Sequence, residues 1–151
     1  MRKITTYVYG MTNNAALIRS WLDLWNGDYA IAESIIAADF RMHAAMLDGS
    51  DGSAVNTPAA LAEWIAMTRA AIPDLVFTIE VGPLVDGNHI ALRWRAVGTY
   101  AGGMPGASAP AGTPIDFTGT DLLRTENDRL AEYWLNSDTL QLVTQLQVTA
   151  A

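Results

Sequence analysis

The chain contains no cysteine, so it can hold no disulfide, no thiolate metal site and no cysteine nucleophile. A cytoplasmic location is the expectation from a chain without an oxidised framework. Histidine is scarce, two in 151 residues, and no set of His, Asp and Glu has metal-ligand spacing, so no metal is expected. Basic residues are few as well: nine Lys and Arg against 16 Asp and Glu leave a formal charge of −7, with no Lys/Arg-rich stretch. That balance argues against nucleic acid as a partner, and it disfavours an anionic ligand while leaving a neutral apolar one indifferent to the field. No apolar run approaches the roughly 18 residues of a membrane span, and Met1-Arg2-Lys3 is not followed by a signal peptide's apolar region. A membrane is therefore not an expected partner. There is no nucleophile elbow, and Gly102, Gly103 and Gly106 do not follow a strand that feeds a helix, so no nucleotide or other cofactor is expected.

What is present is apolar and periodic. Half of the residues are hydrophobic and five are tryptophan, and the length suits one domain, residues 1–151, with a core and an internal pocket. Leu17, Ile18, Trp21, Leu22 and Trp25 fall at helical spacing behind Asn13 and Asn14, which read as N-cap candidates, and Gly27-Asp28 ends that helix. A second short helix is predicted over Tyr29 to Ala37, followed by an extended run Phe40-Arg41-Met42-His43. Leu47 to Thr57 is a Gly/Ser/Asp/Asn loop. Thr57 caps a third helix with Pro58 at its first position, with Leu61, Trp64, Ile65 and Thr68 on one face and Pro73 beyond its end.

The period then changes to two. Val76 to Val85 and His89 to Tyr100 are predicted as an antiparallel pair joined at Asp86-Gly87-Asn88. Residues 101–114, mostly Gly, Ala and Pro, read as a mobile flap. Strands resume over Ile115 to Arg124 and Leu130 to Asn136, and a last helical stretch begins near Asp138. Helices first and a long antiparallel meander afterwards give an α+β class, a curved antiparallel sheet wrapped around about three N-terminal helices to enclose a cavity. Parity puts Ile90, Leu92, Trp94 and Ala96 on one face, assigned inward, and Arg93 and Arg95 on the other. Phe117, Gly119, Asp121 and Leu123 share a face, so Asp121 is a carboxylate in an apolar row. The tryptophans on helical faces, Trp21, Trp25 and Trp64, have core packing as their first role, with Trp25, Trp64, Trp94 and Phe117 also expected to line the pocket.

The segments LWNGDYAIAESIIAADFRMH, AIPDLVFTIE, IALRWRAVGTYAGGMPG, GTPIDFTGTDLLR and RLAEYWLNSDTLQLVTQL together resemble the SnoaL-like polyketide cyclase (ester cyclase) family of the nuclear-transport-factor-like cone fold, over nearly the whole chain. The resemblance implies a cofactor-free cone, commonly a homodimer through the outer sheet face, and in the best-understood members an aldol ring closure of an aromatic polyketide. It also implies a displaced site. Those cyclases use an Asp as acid/base in the last strand, where this chain has Leu135; their partnering His falls on Asp121, and the His of the family's EHW stretch is Tyr133 here. His43 and Asp138 match frequent family positions.

A carboxylate in an apolar cavity is poorly solvated, which raises its pKa and makes it a better base near neutrality. Asp121 is thus the candidate base, with Tyr133 or His43 donating a hydrogen bond to a developing enolate, and Leu135 and Asp138 at the substrate. The structural alternatives are an Arg partner for Asp121, a loop carbonyl for His43 and an N-cap role for Asp138. Three readings follow: an acid/base enzyme on a hydrophobic, carbonyl-rich small molecule, a hydroxylase-like relative that has lost the usual Asp, and a binding protein without chemistry.

Overall fold

The computed structural model describes residues 2–149, with side chains from residue 13. Helix α1 (Arg2–Trp25) buries Leu17, Ile18, Trp21, Leu24 and Trp25, each at most 6% exposed, at the three- and four-residue steps that put side chains on one helical face. Asn13 and Asn14 lie inside this helix and cap nothing, because an Asn costs only a few tenths of a kcal/mol in a helix and neither Pro nor Gly interrupts the run. The Asn13 amide instead donates to Asp128 Oδ1 (2.5 Å). Gly27, at φ +111°, ends the helix, with Asp28 N–H on the Asp23 carbonyl and Gly27 N–H on that of Leu24, the paired bonds of a glycine C-cap.

A 3₁₀ turn (Tyr29–Ile31) and the single-turn α2 (Ala32–Ile35) lead into β1 (Ile36–Ala44). The strand starts within the span expected to be helical and is longer than the four extended residues read from the sequence. Thr57 caps α3 (Pro58–Ala70), its hydroxyl accepting from Ala60 N–H at 3.1 Å, and Leu61 and Ile65 are fully buried. Strands β2 (Val76–Asp86), β3 (His89–Thr99), β4 (Pro114–Glu126) and β5 (Arg129–Ser137) follow, then α4 (Thr139–Gln145). Two α-helices thus precede β1, a third lies between β1 and β2, and a fourth follows β5.

The five strands form one open sheet in the order β1-β5-β4-β3-β2. All neighbours are antiparallel except β1 and β5, which are parallel, so the sheet is mixed where the sequence suggested a wholly antiparallel one. The tight turns that identify hairpins exist only within β2 to β5; β1 is joined to its neighbour by no turn, and its pairing direction has no local signal. Strand β2 loses register on both sides of Val81. Gly82 sits there at φ +99°, where an added Cβ would lie 2.9 Å from the Ala91 carbonyl oxygen, and such bulges bend a sheet.

The inner sheet face carries Ile90, Leu92, Trp94, Ala96, Phe117, Leu123 and Tyr133, all 5% exposed or less, against α1 and α3. The segment read as a flap is packed onto the core through Ala109, 8% exposed, with Met104 and Ala107 beside it. Tyr100 and Thr113 close its base, Ser108 and Ala109 N–H groups bond the Leu146 carbonyl, and Ala107 bridges Val148, which fastens it to the C-terminal segment. Among the described residues no helix is long and apolar enough to cross a membrane.

Candidate active site

Four elements converge on one carboxylate. Asp121 of β4 stands directly opposite Leu92 of β3 and Leu135 of β5. Two residues along each neighbour, on the same face, come Trp94 and Tyr133, the diagonal positions that long aromatic side chains can bridge. The fourth element is α1, whose Trp21 comes down from the helix layer. The Trp94 indole and the Tyr133 hydroxyl donate to Asp121 Oδ1, each at 2.9 Å, and the Trp21 indole donates to Oδ2 at 3.0 Å. Asp121 is 2% exposed and is the one buried charged residue of the described chain.

Gly119 makes this arrangement possible. It faces Trp94 across the β3–β4 ladder, and a Cβ there would lie 2.2 Å from Trp94 Cζ2. The indole therefore lies flat over bare backbone, and any side chain at 119 would displace it. Further aromatic rings brace the cluster: Trp21 meets Tyr133 edge-on at 4.9 Å, Phe77 meets Trp94 at 5.2 Å, Trp94 meets Phe117 at 5.5 Å, and Trp25 meets Trp64 at 5.5 Å.

The three donors to Asp121 are neutral, and that determines its chemistry. Burial disfavours the charged form, and the hydrogen bonds from Trp21, Trp94 and Tyr133 oppose it only in part, so the pKa is pushed up from 3.8 to about 6. At neutral pH the group is ionised yet close to the point at which it takes a proton, the condition for a general base. Tyr133 is held neutral by the same cause: burial first, then the nearby Asp121, keep its phenol protonated well above the usual 10.0. It is a fixed donor.

The carboxylate borders a void of about 20 Å³ lined by Trp21, Leu22, Trp25, Phe77, Ile79, Leu92, Trp94 and Asp121. This is room for a single water-sized group, so the interior is much more filled than the cavity expected from the sequence. Of the residues expected at a pocket, Asp121, Tyr133, Trp25 and Trp94 are brought together here. Phe117 and Trp64 back Trp94 and Trp25 without lining the void. Leu135 is partly buried on the inner face, opposite Asp121.

His43 and Asp138 lie elsewhere. His43 pairs with Trp134 across β1 and β5, one residue out of phase with buried Met42 and Tyr133, so it projects from the outer face. Its ring stacks on Trp134 (5.1 Å between centroids, 11° between planes), and its Nε2 bonds Glu132 Oε1 at 2.8 Å. It cannot donate to a group beside Asp121. Asp138 occupies the N-cap position of α4 but its side chain caps nothing; it accepts from Thr118 Oγ1 and lies 3.4 Å from Arg93, again on the outer face. The sequence reading missed Trp21 as a donor and Gly119 as the seat of Trp94. Trp21 had a signal, its place on the apolar face of α1, but that face gives no hint that a strand a hundred residues away brings it a carboxylate.

The fold and this chain have known counterparts. A family model described as SnoaL-like polyketide cyclase matches residues 15–146. A candidate polyketide cyclase from Acidithiobacillus ferrooxidans has the same fold, with 22% identity, a TM-score of 0.78, and 91% of this chain and 96% of that one covered. IdmH, a candidate polyketide cyclase from Streptomyces antibioticus, aligns at 25% identity and TM-score 0.73 over 89% of this chain and 98% of its own. AclR, a candidate hydroxylase from Streptomyces galilaeus, aligns at 18% and 0.75 over 93% and 89%. A search of curated protein sequences found no match.

Proposed function

The chain belongs to the SnoaL-like polyketide cyclase family, and from that premise we propose that it is an acid/base enzyme, needing no cofactor, for a hydrophobic, carbonyl-rich small molecule, with Asp121 as the base. The observation that carries this reading is the fully buried carboxylate on three neutral donors, its pKa at about 6. Asp121 removes a proton from a carbon flanked by carbonyls. The resulting enolate attacks a second carbonyl of the same molecule, a C–C bond forms, and Asp121 returns the proton to the new alkoxide. Substrate and product are isomers, as an intramolecular aldol closure requires.

The test is proton exchange in D₂O at the carbon between the carbonyls of a panel of aromatic 1,3-dicarbonyl esters, read by NMR, with ring-closed product read by mass. Asp121→Asn should lower both by a factor on the order of 10²–10⁴, the usual contribution of a general base, with the fold retained by circular dichroism. Exchange unchanged in that variant removes Asp121 from the mechanism.

A hydroxylase-like reading rests on Leu135, which stands directly opposite Asp121 where the resemblance expects an acid/base, and on the likeness to AclR. Under it, product formation stops without oxygen. Binding of the panel with neither exchange nor product would instead favour a binding protein. The outer sheet face supports a homodimer: Val76, Val81, Leu84, Val97 and Leu122 are 38–63% exposed there, an apolar surface that a second copy would cover. Sedimentation giving twice the 16.3 kDa chain mass is the expected result, and a monomer at micromolar concentration excludes it.

A further inference from the structure

Among the described residues, one buried side-chain nitrogen or oxygen has no hydrogen-bond partner: Trp25 Nε1. Leaving a buried N–H unpaired costs about 1–3 kcal/mol, so such a group calls for an explanation. Trp25 is 6% exposed, stands edge-on to Trp21 at 6.0 Å and Trp64 at 5.5 Å, is tilted on Phe77 at 5.0 Å, and lines the same void as Asp121. The polar ends that meet Asp121 are committed to it. Trp21, Trp94 and Tyr133 all donate to Asp121, so Tyr133, the donor to an enolate that the sequence suggested, is already spent on the base itself.

Asp121 has capacity left. A carboxylate offers about four acceptor positions; Oδ1 takes two donors and Oδ2 only one. One void is therefore lined by a tryptophan whose N–H has no acceptor and by a carboxylate whose Oδ2 has a free lone pair. We propose that Trp25 Nε1–H is the oxyanion donor of this site, taking the carbonyl oxygen of an enolisable ligand whose adjacent C–H faces Asp121 Oδ2. The inference rests on the acid/base reading above and adds the group that stabilises the charge. As the proton passes to Asp121, the C–H electron pair moves into the carbon–carbon bond, and the carbonyl pair moves onto the oxygen held by the indole. The donor is fixed and dry, so it stabilises that charge without reorganising. The void has room for the carbonyl oxygen alone, and the rest of the ligand lies between Leu22 of α1 and Ile79 of β2, the two partly exposed lining residues.

Phenol and toluene test this directly, because they share a shape and phenol carries the hydroxyl that can accept from Trp25 and donate to Asp121, as an enol would. In a ¹⁵N-labelled sample the five tryptophans give five indole N–H resonances, assigned through the backbone. Phenol should move the Trp25 resonance downfield, and toluene should not. Trp25→Phe should weaken phenol at least about fivefold, a loss of about 1 kcal/mol, and change toluene less than twofold. A phenol complex with no downfield shift at Trp25 overturns the inference even if the variant fails to fold, as does a variant that weakens both ligands equally. No response of any cavity indole to either compound also overturns it. The acid/base reading fails separately, if the dicarbonyl exchange is indifferent to Asp121→Asn.

Discussion

Asp121 on β4 and Glu132 on β5 are carboxylates of adjacent strands on opposite faces of one sheet, and they have been given opposite surroundings. Glu132 is bonded by His43 Nε2 at 2.8 Å and Arg124 Nε at 2.9 Å. The His43 bond first, then Arg124, hold its pKa below the usual 4.5. Asp121 accepts one bond more and yet its pKa rises, to about 6. The number of hydrogen bonds does not decide the outcome; a cationic partner and access to water do. The outer face holds its carboxylate ionised across the neutral range, while burial on the inner face raises the carboxyl pKa toward neutrality.

The largest difference should appear in turnover. Asp121→Asn and Glu132→Gln both remove a negative charge at constant shape. Dicarbonyl proton exchange should fall by a factor on the order of 10²–10⁴ in the first and change less than about twofold in the second. Equal losses in the two variants would erase the functional contrast between the faces.

Stability should depend on pH with opposite sign at the two sites. A carboxyl whose folded pKa is raised holds more protons folded than unfolded, so its stabilising contribution is complete below the unfolded pKa of 3.8 and is lost as pH rises through about 6. A rise from 3.8 to about 6 corresponds to about 3 kcal/mol by neutral pH. Urea unfolding at pH 4 and pH 7 should therefore show the gap between wild type and Asp121→Asn moving by up to about 3 kcal/mol in favour of the Asn protein as pH rises. A gap that stays constant would mean Asp121 is not desolvated.

Much of this was legible beforehand, and the reasons are local. Period-two alternation placed Leu92, Trp94, Phe117, Gly119 and Asp121 on the buried face, because side chains in a strand can only alternate. The Asp86-Gly87-Asn88 turn fixed the β2–β3 pairing for a similar reason. The parallel placement of β1 was not legible, and with it went His43. A strand joined to its neighbour by no turn carries no register signal, and a one-residue shift moves every side chain to the other face. Trp21 and Asp121 are 100 residues apart in the chain, a contact set by tertiary packing alone. The span of α1 was misread at Asn13 because an Asn-Asn pair resembles a cap and its place inside a helix costs too little to show.

The smallest effect belongs to Glu132 itself. Its side chain is 16% exposed and Arg124 is 26% exposed, so water and salt screen the pair, and exposed ion pairs contribute about 0–1 kcal/mol. Arg124 also keeps Glu126 at 3.2 Å when Glu132 is neutralised, and the His43 ring keeps its stack on Trp134. Glu132→Gln should cost under about 1 kcal/mol at pH 7 in low salt. A carboxyl with a depressed pKa stabilises above its unfolded value and loses that as pH falls, so the gap should close below about pH 4.5, the reverse of the trend at Asp121. It should also shrink in 1 M NaCl, where the Debye length is about 3 Å. A loss of several kcal/mol, indifferent to salt, would show that the outer cluster is as dry as the inner one and that the two faces do not differ in the way their pKa shifts require.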